Sequence, residues 1–378
     1  MASSLPAPTR ISGEATLPGL AELVGYVPGT VLASPWISRL ARVSFLGALD
    51  LAGRESPTAQ APRHRDSTSR LDHCVGVARL AISAGRSLRL EHDALRLLVT
   101  AAFLHDAGHW PFSHSAEAAF RDASGADHHD VTRWIVLGDG AIAREDSLAP
   151  TLEAAGIDPE EIWSIIDGSD ASPLAALLRG PINLDTLEGI PRAARAFGLR
   201  GVSLPERLFE MRDGQIWIRT DAVPALDRFW QLKNRVYRDV INRPALAAQE
   251  LRFGSVVSGA LGPSLVAGAI GCSFVAALPG FDDDALLERL GMRREEIGAR
   301  ASDLTSRFAA SADPSMAPVR VLRTYEVDAG VRPGPGGLAE NAWARRWTQA
   351  RQRWFLVSED PALQMLLPCL RESETAEL

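Results

Sequence analysis

Histidine is scarce in this chain, with 8 in 378 residues, yet His105, His109, His114, His128 and His129 crowd into one short stretch and His73 lies just upstream. The densest signal is His105-Asp106, followed by Gly108-His109 and then Pro111-Phe112-Ser113-His114. An adjacent His and Asp can reach one metal if their helix ends there, because the last turn lets neighbouring side chains converge. His73 on an earlier helix and Asp185 further along add a second imidazole and a second carboxylate. Such a mixed N/O set leaves positions for water and suits octahedral Mn2+, Fe2+, Co2+, Ni2+ or Mg2+ better than a closed zinc site. A divalent ion there lowers the pKa of bound water and polarises a phosphoryl oxygen, so the chemistry indicated is attack of activated water on phosphorus.

These residues need helices to position them. Ser69 can cap a helix carrying His73, Val77, Leu80, Ala81 and Ala84 along one face. From Glu91 to Ala107, the stripe Leu95, Leu98, Val99, Ala102 and Phe103 predicts a buried helix ended by Gly108 and Pro111, with His105 and Asp106 in its last turn. An earlier helix is expected over 35–51, starting at Pro35, and a loop through Pro57, Pro62 and Arg65. Further helices are expected at 114–122, 128–137, 159–166 and 171–179, and another from Asp185 to about Phe197. Asp213-Gly214 between short alternating runs predicts a β-hairpin. Helices at 223–240, 244–259 and 282–308 continue the bundle. Possible strands at 319–327 and 354–357 flank a Gly/Pro loop at 330–337.

The expected fold is mainly α: an extended lead-in over 1–34, a helical core over 35–310 with a small β-hairpin, and a minor mixed α/β C-terminal appendage over 311–378. Hydrophobic residues make up 46% and charged residues 23%, the balance of an ordered globular protein. A formal charge of −7 argues against a protein that coats nucleic acid, though a local phosphate pocket is compatible with it. Cys74, Cys272 and Cys369 are too few and scattered for a disulfide framework or a CxxC zinc site. They read as reduced thiols of a cytoplasmic protein. No run approaches the roughly 18 apolar residues of a membrane span, and residues 1–10 lack the pattern of a secretory signal. Asp282-Asp283-Asp284 reads as a solvated helix start, and Arg293-Arg294 beside Glu295-Glu296 as a mixed-charge face.

The motif residues resemble a known family. Ser69-Arg70-Leu71-Asp72-His73, with Gly76-Val77 and Leu80-Ala81, is similar to a helix of HD-domain deoxynucleoside triphosphate triphosphohydrolases. The stretch His105-Asp106-Ala107-Gly108-His109-Trp110-Pro111-Phe112-Ser113-His114 is close to their central motif. Asp127-His128-His129-Asp130 and Asn183-Leu184-Asp185 stand where further motif segments fall. The resemblance spans roughly 35–260 and is specific over 70–130 and at Asp185. It implies an HD-domain helical bundle in which His73, His105, Asp106 and Asp185 hold a divalent metal. His109, His114 and His129 would face the phosphates of a nucleotide substrate, with His114 donating the proton to the leaving oxygen. Glu117 and Asp130 would orient these imidazoles. Arg70 would clamp phosphate, Tyr237 would contact the sugar, and the protein would form a homo-oligomer.

The departures concern the substrate. An aromatic and an acidic position that usually follow the final Asp fall at Gly189 and Ala193, although Glu188 and Arg192 fit the pattern. A Gln near the sugar is replaced by Phe45, and a phosphate-binding Arg aligns with Phe229, one residue from Arg228. A (deoxy)nucleoside triphosphate is therefore the expected substrate, with a mono- or diphosphate or a modified nucleotide as the alternative. Oxidation at a two-iron site using His109 and His129, and a nucleotide sensor without turnover, are the readings from other classes.

Overall fold

The computed structural model describes residues 20–52, 69–169, 173–179, 182–241, 244–261 and most of 275–297, with short strands at 309–311 and 354–356. The expected loop through Pro57 and Pro62, Cys272, Cys369, the strand at 319–327 and the Gly/Pro loop at 330–337 lie outside the described residues.

The fold is mainly α. Its frame is α1 (Arg70–Leu88), α2 (His92–Leu104), α3 (His114–Ser124), α4 (His128–Leu137), α5 (Pro159–Asp167), the short α6 (Ala175–Arg179) and α7 (Leu184–Ala196). A hairpin follows, β1 (Phe209–Arg212) with β2 (Gln215–Ile218), and then α8 (Val223–Val236), α9 (Pro244–Leu261) and α10 (Asp283–Leu290). Strands β3 (Ala309–Ser311) and β4 (Trp354–Leu356) form an antiparallel pair. Among the described residues no helix is long and apolar enough to cross a membrane.

Ser69 caps α1 as expected, its hydroxyl accepting from the Asp72 amide at 3.1 Å, a contact whose loss costs about 1 kcal/mol. Leu71, Cys74, Val77, Ala78 and Ala81 form the buried stripe of α1, which packs along α2. Each large apolar side chain buried this way contributes roughly 1.5–3 kcal/mol. The hairpin register pairs Phe209 with Ile218 and Arg212 with Gln215, and the turn takes positive φ at Asp213 (51°) and Gly214 (72°). Both central residues in that region give the type I′ twist that a two-residue connection needs.

Three boundaries differ from the periodicity. The helix expected over 35–51 breaks into a turn at Pro35–Ser38, a 3₁₀ turn at Arg39–Arg42 and a helical turn at Leu49–Ala52. The Ser44 amide donates to Asp283 Oδ2 at 2.9 Å, and Ser44 bridges to Ser69, so this backbone serves tertiary partners. The helix expected over 223–240 becomes a π turn at Tyr237–Ile241. The one expected over 282–308 contains a helix that ends at Leu290, where Gly291 adopts a left-handed C-cap.

Candidate active site

The helix that ends at Leu104 presents His105 as its C-cap, and Asp106 begins the turn beyond. Asn183 caps α7 by accepting from the Thr186 amide at 2.7 Å, which leaves the Asp185 carboxylate for other partners. The consequence is convergence. His73 Nε2 lies 3.0 Å from Asp185 Oδ1 and 3.5 Å from Asp106 Oδ2. His105 Nε2 lies 3.4 Å from Asp106 Oδ2 and 3.9 Å from Asp185 Oδ1. The structure thus brings together all four residues expected to hold a metal.

The outer atoms of these side chains are held from several sides. His73 Nδ1 sits 2.6 Å from Glu188 Oε2, and His105 Nδ1 sits 2.8 Å from the Ala102 carbonyl. A proton on each Nδ1 satisfies these acceptors and turns the Nε2 lone pairs inward. Both Nε2 atoms are buried and make no hydrogen bond. Two inward lone pairs beside two carboxylates fit a cation, and His73, His105 and Asp106 form a donor group within 4.8 Å. The same field acts on the proton of His73. Burial lowers its affinity, but Asp185 and Glu188 outweigh that and push the pKa up to about 9. Burial likewise raises Asp106, yet His105, His109 and Arg70 hold its carboxyl well below the usual range. Gly76 is required for this packing, because a Cβ there would fall 2.5 Å from Glu188 Oε1.

Beside this cradle runs a row of imidazoles. His109 stacks on His128 with centroids 4.1 Å apart, and His114 meets both edge-on at 4.8 and 5.4 Å. Glu117 ties the row together: Oε2 lies 2.8 Å from His114 Nδ1, and Oε1 contacts His128 Nδ1. Burial would raise the Glu117 carboxyl, but His114 and His128 hold it far below the usual range. Burial lowers His128, and Glu117 outweighs it, so the net shift is upward. His109 goes the other way, lowered by burial, Arg70 and His128. Its Nε2 is 3.4 Å from Asp106 Oδ1, which joins the row to the cradle. Gly108 admits α4 this closely, since a Cβ there would lie 2.3 Å from the His128 carbonyl.

Several expected roles change with these contacts. Arg70 is buried, with Nη1 on Asp106 at 2.8 Å, Nη2 on the Phe45 carbonyl at 2.6 Å and Nε 3.3 Å from Ser113 Oγ. Each of its three nitrogens thus bonds the protein, which ties Arg70 to Asp106, to the Phe45 carbonyl and to Ser113. Asp130 completes a capping box with Asp127 at the start of α4 and is exposed, so it does not orient an imidazole. At that helix start His128 points into the row, while His129 lies one ring further out, 4.1 Å from His128 and 3.3 Å from Arg179 Nη2. Tyr237 is half-buried and packs against the hydrophobic core.

Two further supports have weak or no sequence signal. Arg39, 1% exposed, donates to the carbonyls of His109 and Ala107, both at 2.8 Å. Asp283 is fully buried, contrary to the solvated reading of its acidic run, while Asp282 caps α10. The Asp283 carboxylate accepts from the Phe112 amide at 2.6 Å and from Ser44. Phe112 and Ser113 have φ of 56° and 47°, a left-handed turn that costs about 1–3 kcal/mol per residue and persists only when neighbours enforce it. Ser113 Oγ donates to the Ser44 carbonyl at 2.6 Å and closes that network.

A model of the HD domain matches residues 70–155, the span that holds His73, His105, Asp106 and the whole imidazole row. Residues 70–155 thus carry an HD domain. The chain is similar to a deoxyguanosinetriphosphate triphosphohydrolase-like protein of Rhodopseudomonas palustris, 41% identical over 154 residues, 39% of this chain and 32% of that one. The uncharacterized protein YwfO of Bacillus subtilis is 26% identical over 200 residues, 50% of this chain and 44% of that one. The chain thus spans less than half the length of these curated relatives. A phosphohydrolase of Bacteroides thetaiotaomicron has a similar fold, with a TM-score of 0.59 at 15% identity, covering 75% of this chain and 74% of that one. Asp185, Glu188 and Asp283 lie outside the matched HD segment.

Proposed function

We propose that this HD-domain protein is a metal-dependent phosphohydrolase that cleaves a nucleotide, with a nucleoside triphosphate as substrate class. The observation that carries this reading is the cradle: two buried imidazoles with unsatisfied inward Nε2 atoms and two carboxylates, bordered by imidazoles that share Glu117. His73, His105, Asp106 and Asp185 would hold the divalent ion, with Mn2+, Co2+, Fe2+, Ni2+ and Mg2+ all suited to the donor set. When bound, such an ion supplies Lewis acidity toward a phosphoryl oxygen and makes water a stronger nucleophile.

The remaining roles belong to the chain's own side chains. His128, with its proton favoured by Glu117, places positive charge beside the phosphoryl oxygens that gain charge in the reaction. His114 is 42% exposed at its side chain and bonded through Nδ1 to Glu117, so its Nε2 is the candidate proton donor to the leaving oxygen. Glu117 fixes the orientation and tautomer of that imidazole through its contact with Nδ1. His109, buried and neutral, fills the space between Asp106 and His128.

The triphosphate assignment is supported by the name of the Rhodopseudomonas relative and by the length of the imidazole row. The sugar side differs from the resembled enzymes. The Phe45 ring packs tilted against His73 with centroids 4.7 Å apart, and a Cβ on Gly189 would approach its ring to 3.3 Å. Tyr237 is the candidate for a sugar contact.

The test is purified protein loaded with Mn2+, Co2+ or Mg2+ and incubated with nucleoside mono-, di- and triphosphates, ribo and deoxy, with products separated by chromatography. Release of intact tripolyphosphate, lost in His105→Ala/Asp106→Ala, is the expected result. Stepwise release of orthophosphate would make the protein a phosphatase. Nucleotide binding with no turnover in the metal-loaded parent would overturn the enzymatic reading in favour of a sensor.

A further inference from the structure

A substrate with two or more phosphates needs donors beyond the one at the cleaved bond, and the guanidiniums nearest the cradle are already engaged. Arg70 serves Asp106, Phe45 and Ser113, while Arg39 holds the carbonyls of the metal-ligand turn. Arg192 clamps Glu188 and reaches the Asp72 carbonyl at 2.9 Å. Arg179, the last residue of α6, is placed differently. It is exposed, its Nε donates to the Ile166 carbonyl at 2.5 Å, and its Nη2 lies 3.3 Å from His129 Nδ1. The Nε bond anchors the side chain at the end of α5 and leaves the Nη edge turned to His129. The His129 ring stands 4.1 Å from His128, His128 stands 4.1 Å from His109, and His109 Nε2 is 3.4 Å from Asp106. An unbroken row therefore runs from a metal ligand to an exposed guanidinium.

We propose that Arg179 and His129 form a distal phosphate subsite that recognises the second and third phosphates of a polyphosphate substrate and so discriminates nucleoside triphosphates from monophosphates. The proposal rests on the phosphohydrolase reading for its direction: hydrolysis occurs at the cradle, and the rest of the phosphate chain extends along the row. Burial, His128 and Arg179 lower the pKa of His129 to about 4, so at neutral pH its Nδ1 accepts from Arg179 and its Nε2 carries a proton for an anionic oxygen. Arg179 adds the fork geometry and permanent charge that suit phosphate.

The test compares the parent with Arg179→Ala, Arg179→Lys and a control, Arg133→Ala. Arg133 is an exposed cation on the same helix as His129, and it pairs with Asp139 at 2.7 Å. Two readouts are taken on metal-loaded protein: KM and kcat for a nucleoside triphosphate and its monophosphate, and calorimetric affinity for inorganic tripolyphosphate. In Arg179→Ala the triphosphate KM should rise about tenfold or more relative to the monophosphate KM, with tripolyphosphate affinity falling in parallel. Arg179→Lys should recover part of the loss, and Arg133→Ala should match the parent. Equal shifts for both substrates, or unchanged tripolyphosphate affinity, would overturn the subsite. Should the parent hydrolyse neither substrate, the phosphohydrolase reading fails. The calorimetry still decides the subsite then, because tripolyphosphate binding that is absent, or independent of Arg179, refutes it.

Discussion

The metal cradle and the imidazole row share a border at Asp106 and His109 but are built on opposite principles. In the cradle, the candidate ligands are held from separate elements: His73 by Glu188 of α7, His105 by a carbonyl of its own helix, Asp106 by Arg70 of α1. Its histidines are nearly closed to solvent, with the His73 side chain 1% exposed. The row hangs on one carboxylate, Glu117, and on ring-to-ring contact, and its member His114 is 42% exposed at its side chain. A cation site gains from ligands fixed before the ion arrives, since ordering them is then part of folding. An anion site that takes a substrate and releases products can keep a mobile rim. The difference suggests that variants of the cradle act through metal occupancy and fold, whereas variants of the row act through turnover.

The largest effect should come where the cradle couples both. Asp106→Ala removes a ligand and leaves Arg70 buried without its carboxylate. Activity should fall at least about a thousandfold, on the scale of losing a principal electrostatic group. Stability should fall by about 3–5 kcal/mol, the cost of an uncompensated buried charge. Adding Arg70→Met should restore much of the melting temperature and none of the activity. If the single variant melts like the parent, the Arg70–Asp106 pair is not the internal support inferred from its 2.8 Å contact.

The row should answer differently. Glu117→Gln keeps the size of the side chain but removes the charge that bonds His114 and favours the proton on His128. kcat should drop about a hundredfold, within the range for general acid–base groups, while metal content stays at the parental level. The alkaline limb of the kcat profile should also move to lower pH, because His128 loses the anion that favours its charged form. Metal loss in this variant would erase the distinction between the two regions.

Glu188→Gln tests the cradle's outer support with a smaller expected effect. An amide at this position accepts from His73 Nδ1 with less charge, so metal affinity should weaken about tenfold or more. Excess metal should restore kcat. A kcat deficit that persists at saturating metal would show that Glu188 acts on the reaction itself.

How much of this could be read from sequence follows the range of the interactions. The cradle is legible because His105 and Asp106 are contiguous, and because His73 and Asp185 sit near capped helix starts whose phase the apolar stripe reveals. Choosing between His128 and His129 needs the orientation of a helix start, since adjacent residues there point about 100° apart. Arg70 shows as a cation, but nothing local shows that its helix turns it toward Asp106. Asp283 is the hardest case. Its run of three acids looks like a solvated helix start, and its partner Phe112 lies 171 residues away. The helix expected over 35–51 fails for the same reason, because Ser44 donates to Asp283 and the neighbouring Val43 carbonyl accepts from the Arg70 amide in a bridge to Ser69, in place of helical bonds.

Asp283 also supplies the mildest test, because it supports both regions at once. Through Phe112 it shapes the turn that leads to His114, and through Ser44 and Ser113 it reaches Arg70 and then Asp106. Asp283→Ala strips acceptors from two backbone amides, those of Phe112 and Ser44, at a cost of about 1–3 kcal/mol for each one left buried. Losing a buried carboxyl that is itself costly to desolvate offsets part of this. A net loss of about 2 kcal/mol, read as a melting-temperature drop of several degrees, is expected near neutral pH. The pH dependence carries a definite sign. Burial pushes the carboxyl from its ordinary 3.8 up to about 6, against the donors at Ser44 and Phe112. The folded chain therefore binds this proton more tightly than the unfolded chain does. The stabilisation from that proton is fully present below about 4 and is lost as pH rises through about 6. The gap in melting temperature between parent and Asp283→Ala should thus be wider at pH 5 than at pH 7.5. A gap that widens toward high pH would mean that the three hydrogen bonds to Asp283 hold it ionised, as a fixed anion under the turn that joins cradle and row.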